Sequence, residues 1–225
     1  MMRFLGPGNV TYRHSRIGVQ ILASAFALAL GLGGAPAEAR TLRVVALGDS
    51  LTAGYGLPPG EAFPDALQRA LRARGWDVEV ANAGVSGDTA EDGLARFEWS
   101  VPDGADALIV ELGANDMLRG GDAAAAKSAL AQILVRAQAA HMKVLLAGMH
   151  AAPNYGEDYK RRFDAIYPDL ARNYGVALYP FFLEATVDDP KLRLSDGLHP
   201  SREGVERIVA DMLPSVEGVL AEIKP

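Results

Sequence analysis

Four short segments of this 225-residue sequence carry side chains from which acyl-transfer chemistry can be built. Gly48-Asp49-Ser50-Leu51 places a hydroxyl in a tight turn, and Ser86-Gly87-Asp88-Thr89 offers backbone donors in another. Gly113-Ala114-Asn115-Asp116 supplies a side-chain amide. Ser195-Asp196-Gly197-Leu198-His199-Pro200 sets a carboxylate three residues before an imidazole, in a turn that Gly197 and Pro200 would hold. A serine hydroxyl becomes a useful nucleophile when an adjacent base takes its proton, and a third group must fix the tautomer of that base. The oxyanion formed by attack needs preset N–H donors. Each residue also has a plainer reading. Ser50 is a good helix N-cap, Asn115 can cap the turn after its strand, and Gly87 can serve only to supply a positive φ. Their coincidence at successive strand ends favours the chemical reading.

Four histidines are available. His14 lies in the N-terminal segment, and His141 reads as a solvated helix terminus. His150 follows a strand and is the rival base. His199 alone has a carboxylate three residues ahead of it. The chain has no cysteine, which excludes disulfides, thiolate catalysis and thiolate metal sites. The net charge of −6 disfavours general binding to nucleic acid, because phosphate neutralisation needs clustered lysine and arginine.

The elements that must position these residues alternate. Short apolar runs at 42–47, 78–83, 107–112, 143–147 and 176–181 read as strands. Helical spacing follows each, at 63–74, 89–99, 123–140, 158–173 and 202–223. Thr89, Asp122 and Ser201 read as N-caps, and Pro214 is expected to end or kink the last helix. Continuous apolar strands joined through helices predict an α/β fold, a three-layer sandwich around a five-stranded parallel sheet. In such sheets ligands bind beyond the carboxyl ends of the strands, where all four segments fall. The long stretch 183–200 has no obvious structure and so reads as functional.

Residues 1–39 read as a cleavable signal peptide, with 40–225 as one domain. Arg3, Arg13 and Arg16 precede an almost wholly apolar or small run from Ile17 to Gly34, and Ala37 and Ala39 form the small-x-small pattern before the expected cut. This predicts a periplasmic or secreted bacterial protein without stable membrane insertion after cleavage; the alternative reading of the same run, at the short limit for a span, is an uncleaved membrane anchor. With no cysteine following, a lipoprotein anchor is ruled out.

Taken together, the four segments resemble, in order, the sequence blocks of the GDSL, or SGNH, hydrolase family. Ser50 matches the first block, Gly87 the second, Asn115 the third, and Asp196 with His199 the last. The wording of 82–90 and 111–116 is similar to periplasmic bacterial arylesterases and the multifunctional thioesterase–lysophospholipases. The resemblance implies a flavodoxin-like SGNH hydrolase fold, no metal and no organic cofactor. It implies a serine esterase acting on aryl esters, lysophospholipids or acyl thioesters, a small-molecule ester or lipid, through an acyl-serine intermediate. Ser50, His199 and Asp196 would be catalytic. Ser50 and Gly87, through their backbone N–H groups, and Asn115, through its amide, would form the oxyanion hole. Asp49 and Asp116 would only support them. Other readings are a carbohydrate O-deacetylase in the same family, a phosphate- or flavin-binding module using 50–54 as a cradle, and a non-catalytic binding or scaffold protein. Leu51, Leu57, Met117, Leu118 and Met149 are apolar residues in the candidate loops, which read either as contacts for an acyl or aryl group or as ordinary packing residues.

Overall fold

The computed structural model of the chain describes residues 1–2 and 40–223. The expected signal peptide lies outside the described residues. Five strands form one parallel sheet in the order β2-β1-β3-β4-β5: β1 (Leu42–Gly48), β2 (Val78–Gly84), β3 (Ala107–Glu111), β4 (Lys143–Ala147) and β5 (Ala177–Tyr179). The chain leaves β1 towards β2 and then returns to place β3 on the other side of β1. That reversal opens a crevice at the carboxyl ends of β1 and β3, the flavodoxin-like switch point.

The inner strands are buried almost throughout, as their unbroken apolar runs require. β2 lies at an edge and is largely exposed, so Glu79 and Asn82 are tolerated there. The helices are α1 (Ser50–Ala53), α2 (Phe63–Ala73), α3 (Ala90–Ala95), α4 (Phe97–Ser100), α5 (Ala114–Leu118), α6 (Ala123–Ala139), α7 (Glu157–Asp164), α8 (Ile166–Tyr174) and α9 (Arg202–Ala221). α2 packs on α9, whereas α6 packs on α3 and α8. Leu47, Leu67, Leu108, Leu130 and Ile133 lie in the core between these layers. Thr89 and Asp92 form a reciprocal capping box at α3, and the Asp122 and Ser201 side chains cap α6 and α9. Among the described residues, no helix is long and apolar enough to cross a membrane.

Four expectations are corrected. The helix expected over 89–99 breaks at Arg96 (φ −100°, ψ 8°), whose guanidinium turns inward onto strand-end carbonyls. The helix expected over 158–173 is two, because Pro168 offers no N–H to the Asp164 carbonyl and fits instead the first turn of α8. β5 stops at Tyr179, because the Gly148 carbonyl, the next acceptor on β4, takes the Phe182 N–H at 2.9 Å and the register with β4 slips by one residue. Finally, Pro214 does not end α9, which runs on to Ala221. Val205, Ile208, Val209 and Met212 are buried before the proline, and Val216, Val219 and Leu220 after it. Burying each such side chain contributes about 1.5–3 kcal/mol, so together they outweigh a proline cost of about 3 kcal/mol.

The stretch 183–200 contains two 3-10 turns, Glu184–Thr186 and Pro190–Leu192, and closes with an antiparallel bridge between Arg193 and Pro200. Within that closure Leu194 N–H donates to the His199 carbonyl at 2.7 Å, and Gly197, at φ +72°, makes the turn.

Candidate active site

Ser50 is the first residue of α1, and the N-cap is Asp49, whose Oδ1 accepts the Leu51 N–H at 3.0 Å. The capping reading of Ser50 is therefore corrected: its neighbour does that work and leaves the Ser50 hydroxyl free. Its Oγ lies 2.9 Å from His199 Nε2. His199 Nδ1 lies 2.7 Å from Asp196 Oδ2. The other oxygen, Asp196 Oδ1, accepts the backbone N–H groups of Leu198 at 2.9 Å and His199 at 3.0 Å. Those two amides, then the imidazole, hold the Asp196 carboxyl down at about 2. It is thus an acceptor at any ordinary pH, so the imidazole proton sits on Nδ1 and the bare Nε2 faces Ser50.

The two donor segments also converge here. Gly87 has φ +92°, and its carbonyl accepts from Arg119 at 2.7 Å. As the first residue of α1, Ser50 has a backbone N–H with no intrahelical acceptor. Asn115 follows Gly113, which turns the chain at φ +113°. The Asn115 amide nitrogen donates to Asp49 Oδ2 and to the Asp88 carbonyl, both at 3.0 Å. Both amide hydrogens are thereby engaged, so the side chain is held rigidly and must share one hydrogen to serve an oxyanion. Asp116 accepts the Ala90 N–H at 2.9 Å and so ties this turn to the start of α3.

His150 falls away as the rival base, and His141 is the exposed helix terminus expected. His150 stacks on Phe181, with ring centroids 4.6 Å apart, and lines the same cleft, but the Ser50 hydroxyl makes its contact with His199. His141 takes φ +61° just beyond α6 and is exposed.

A cleft of about 640 Å³ opens beside Ser50 and His199. Leu51, Met117, Leu118 and Met149 line it as expected, but Leu57 packs against the core instead. Leu183 and Val187, from the irregular stretch, complete an apolar wall that strand periodicity did not reveal. The sequence reading also missed Tyr55, whose ring lies 4.4 Å from the His199 ring, and Arg96. The Arg96 guanidinium donates to Asp88 Oδ2 at 2.5 Å and to the carbonyls of Ala83 and Gly48, both at 2.9 Å. It clamps the ends of β1 and β2 to the turn that follows Gly87. No spacing in the sequence marks it, since it sits in an otherwise ordinary helical pattern.

Asp49 is fully buried, and that burial pushes its carboxyl up to about 6. A buried acid raised in this way favours the protonated fold. Its stabilising contribution is complete below the unfolded value near 4 and is lost as pH rises to about 6. The difference in unfolding free energy between the protein and Asp49→Asn is expected to shift by on the order of 3 kcal/mol across that window, against the parent as pH rises. The introduced amide would also mispair with the amide of Asn115, which adds an offset independent of pH. Denaturant melts at pH 4 and pH 7 isolate the step, and a flat difference would remove the assignment.

The family model for the GDSL-like lipase/acylhydrolase family matches residues 46–207, which include all four segments. The chain belongs to that family. Among curated relatives, it is 39% identical over 194 residues to the esterase TesA of Pseudomonas aeruginosa, covering 86% of this chain and 96% of that one. It is 40% identical over 162 residues to an arylesterase of Vibrio mimicus, covering 72% and 81%. Among solved structures, AlinE4, an SGNH-hydrolase family esterase, is 45% identical with a TM-score of 0.69, covering 82% of this chain and 99% of that one. A crystal structure of TesA is 34% identical with a TM-score of 0.75, covering 79% and 99%.

Proposed function

We propose that this GDSL-like chain hydrolyses carboxylic esters or thioesters through an acyl-serine intermediate. The reading rests on the contacts from Ser50 through His199 to Asp196, at 2.9 and 2.7 Å, beside an apolar cleft. His199 takes the Ser50 proton as Oγ attacks the carbonyl, and then returns it to the departing alcohol or thiol. Water activated by the same imidazole releases the acid. Asp196 stays ionised and orients the ring. The N–H groups of Ser50 and Gly87 and one hydrogen of the Asn115 amide receive the oxyanion. The lining of the cleft suits an acyl chain or an aryl group, so aryl esters, lysophospholipids and acyl thioesters are the substrates inferred. The net charge of −6 fits these better than a nucleic acid.

A phosphate cradle at residues 50–54 is opposed by the buried Asp49, which already takes the Leu51 N–H of this turn. Residues 1–39 are inferred to direct the chain to the periplasm or outside the cell. N-terminal sequencing of the exported protein tests this, with Arg40 as the expected first residue.

The functional test is hydrolysis of p-nitrophenyl esters from acetyl to palmitoyl by the chain from Arg40 onward. Activity that rises with acyl length and then falls as the cleft fills is the expected result. Activity confined to acetylated sugars would favour a carbohydrate O-deacetylase. In the same assay, Asn115→Ala is expected to lower kcat by about 10²–10³-fold, the usual effect of losing one oxyanion donor. A loss below threefold would remove Asn115 from that role.

A further inference from the structure

One buried acid beneath the Ser50 turn has no part in the chemistry described so far. Glu111 ends β3 and pairs with Gly48 in the β1–β3 register. It is fully buried, and its Oε2 accepts the Thr52 hydroxyl at 2.6 Å. Among the described residues, its Oε1 has no partner. Gly48 makes the space: a Cβ there would stand 2.1 Å from Thr52 Oγ1 and 2.6 Å from Glu111 Oε2. Two residues before Ser50 the chain gives up a side chain to admit a carboxyl, and two residues after Ser50 it supplies the hydroxyl that binds it. Packing alone does not account for this. An apolar side chain would fill the same volume without leaving a polar oxygen unsatisfied.

We propose that Glu111 is a positioning residue for Ser50, acting through its contact with Thr52 to fix the one-turn helix that presents the nucleophile. The proposal rests on the ester-hydrolase reading. α1 has only four residues and is too short to hold its own shape. The base comes from elsewhere, on the turn that precedes α9, so the Ser50–His199 distance depends on where α1 is fastened. The Thr52–Glu111 contact fastens it to the end of β3. Four residues further on, that strand end delivers Asn115, and nucleophile and side-chain donor are thus referred to one strand.

The charges around the contact agree with this role. Burial, then the neighbouring Asp49 carboxylate, pushes Glu111 well above the usual carboxylate range. Asp49 therefore ionises first, and its charge is met by the Leu51 N–H and the Asn115 amide. His199 and Asp88 also face Asp49, while the buried Tyr167 faces both acids. Neutral Glu111 can hold Thr52 without placing a second charge beside Asp49. Ionisation of Glu111 would place one there.

The test uses Thr52→Val and Glu111→Leu, which break the contact from either side, and Glu111→Gln, which keeps its size and an acceptor. kcat and KM for p-nitrophenyl butyrate are measured across pH, with thermal melts and Ser50→Ala in parallel. Thr52→Val and Glu111→Leu are expected to lose about ten- to a hundredfold in kcat with little change in KM, the scale of a sub-ångström to ångström misplacement. Glu111→Gln is expected to recover most of the kcat lost in Glu111→Leu, and to keep it as pH rises where the parent falls. If Glu111→Leu does not fold, Thr52→Val decides. Parent-like kcat in Thr52→Val with only a lowered melting temperature overturns the proposal, as does equal loss in Glu111→Gln and Glu111→Leu. Parent-like activity in Ser50→Ala would instead overturn the hydrolase reading on which the proposal rests.

Discussion

Ser50→Ala is expected to lower kcat by about 10⁶-fold, the scale seen when the nucleophile of a serine–histidine–acid set is removed. The reason is geometric. The Ser50 Oγ is the atom in contact with His199 Nε2, and the nearby Thr52 hydroxyl donates to Glu111 instead. The cleft and the donors around it would survive the substitution. A residual rate of about 10³–10⁴-fold over water is therefore expected, from oxyanion binding and substrate positioning alone. Adding His199→Ala to the variant should cost almost nothing more, because the two residues act as one unit. Steady-state hydrolysis of p-nitrophenyl butyrate reads the rate, and mass spectrometry after an organophosphonate reads the modified residue. A variant within tenfold of the parent, or phosphonylation at another serine, would exclude Ser50 as the nucleophile.

Asp196→Asn is expected to lower kcat by about 10⁴-fold while leaving the fold intact. Asp196 Oδ1 already accepts two backbone N–H groups, from Leu198 and His199. An asparagine here must keep its oxygen in that position, which turns its NH₂ towards His199 Nδ1. Nδ1 must then accept, so the imidazole proton moves to Nε2 and faces Ser50, the wrong tautomer for a base. Because Asp196 is held at about 2, the parent carries this charge at every pH used for ester assays. The loss should therefore persist across the neutral range and not appear only in acid. A pH–rate profile with full kcat at any neutral pH would contradict the orienting role.

The layout of the fold was legible because local chemistry and tertiary packing agree over most of the chain. The inner strands are buried on both faces, so their sequences are apolar without interruption, and caps such as Thr89 and Asp122 announce their helices. Legibility failed where a distant contact overrode a local pattern. Arg96 sits in helical spacing, yet its guanidinium is drawn to carbonyls at two strand ends and the helix breaks. Pro214 is a local stop signal that apolar burial on both sides of it outweighs. At the site, the Asp196–His199 pair was readable because three residues of a single turn connect them. Glu111 was not read as a candidate, although an acid ends an apolar strand there, and its partner Thr52 is 59 residues away.

The sequence by itself determined which chemical groups the protein owns, their order along the chain, and that a parallel sheet would carry them to one edge. Side-chain type and short-range spacing suffice for that, since strand, turn and capping preferences act over a few residues. Only the tertiary structure decided that Ser50 and His199, 149 residues apart, meet at 2.9 Å, and that His150 does not take that place. It alone decided that Asp49 rather than Ser50 caps α1, and that Leu183 and Val187 complete the apolar wall of the cleft. Those outcomes depend on how separate layers settle against one another, and no window of the sequence contains both sides of such a contact.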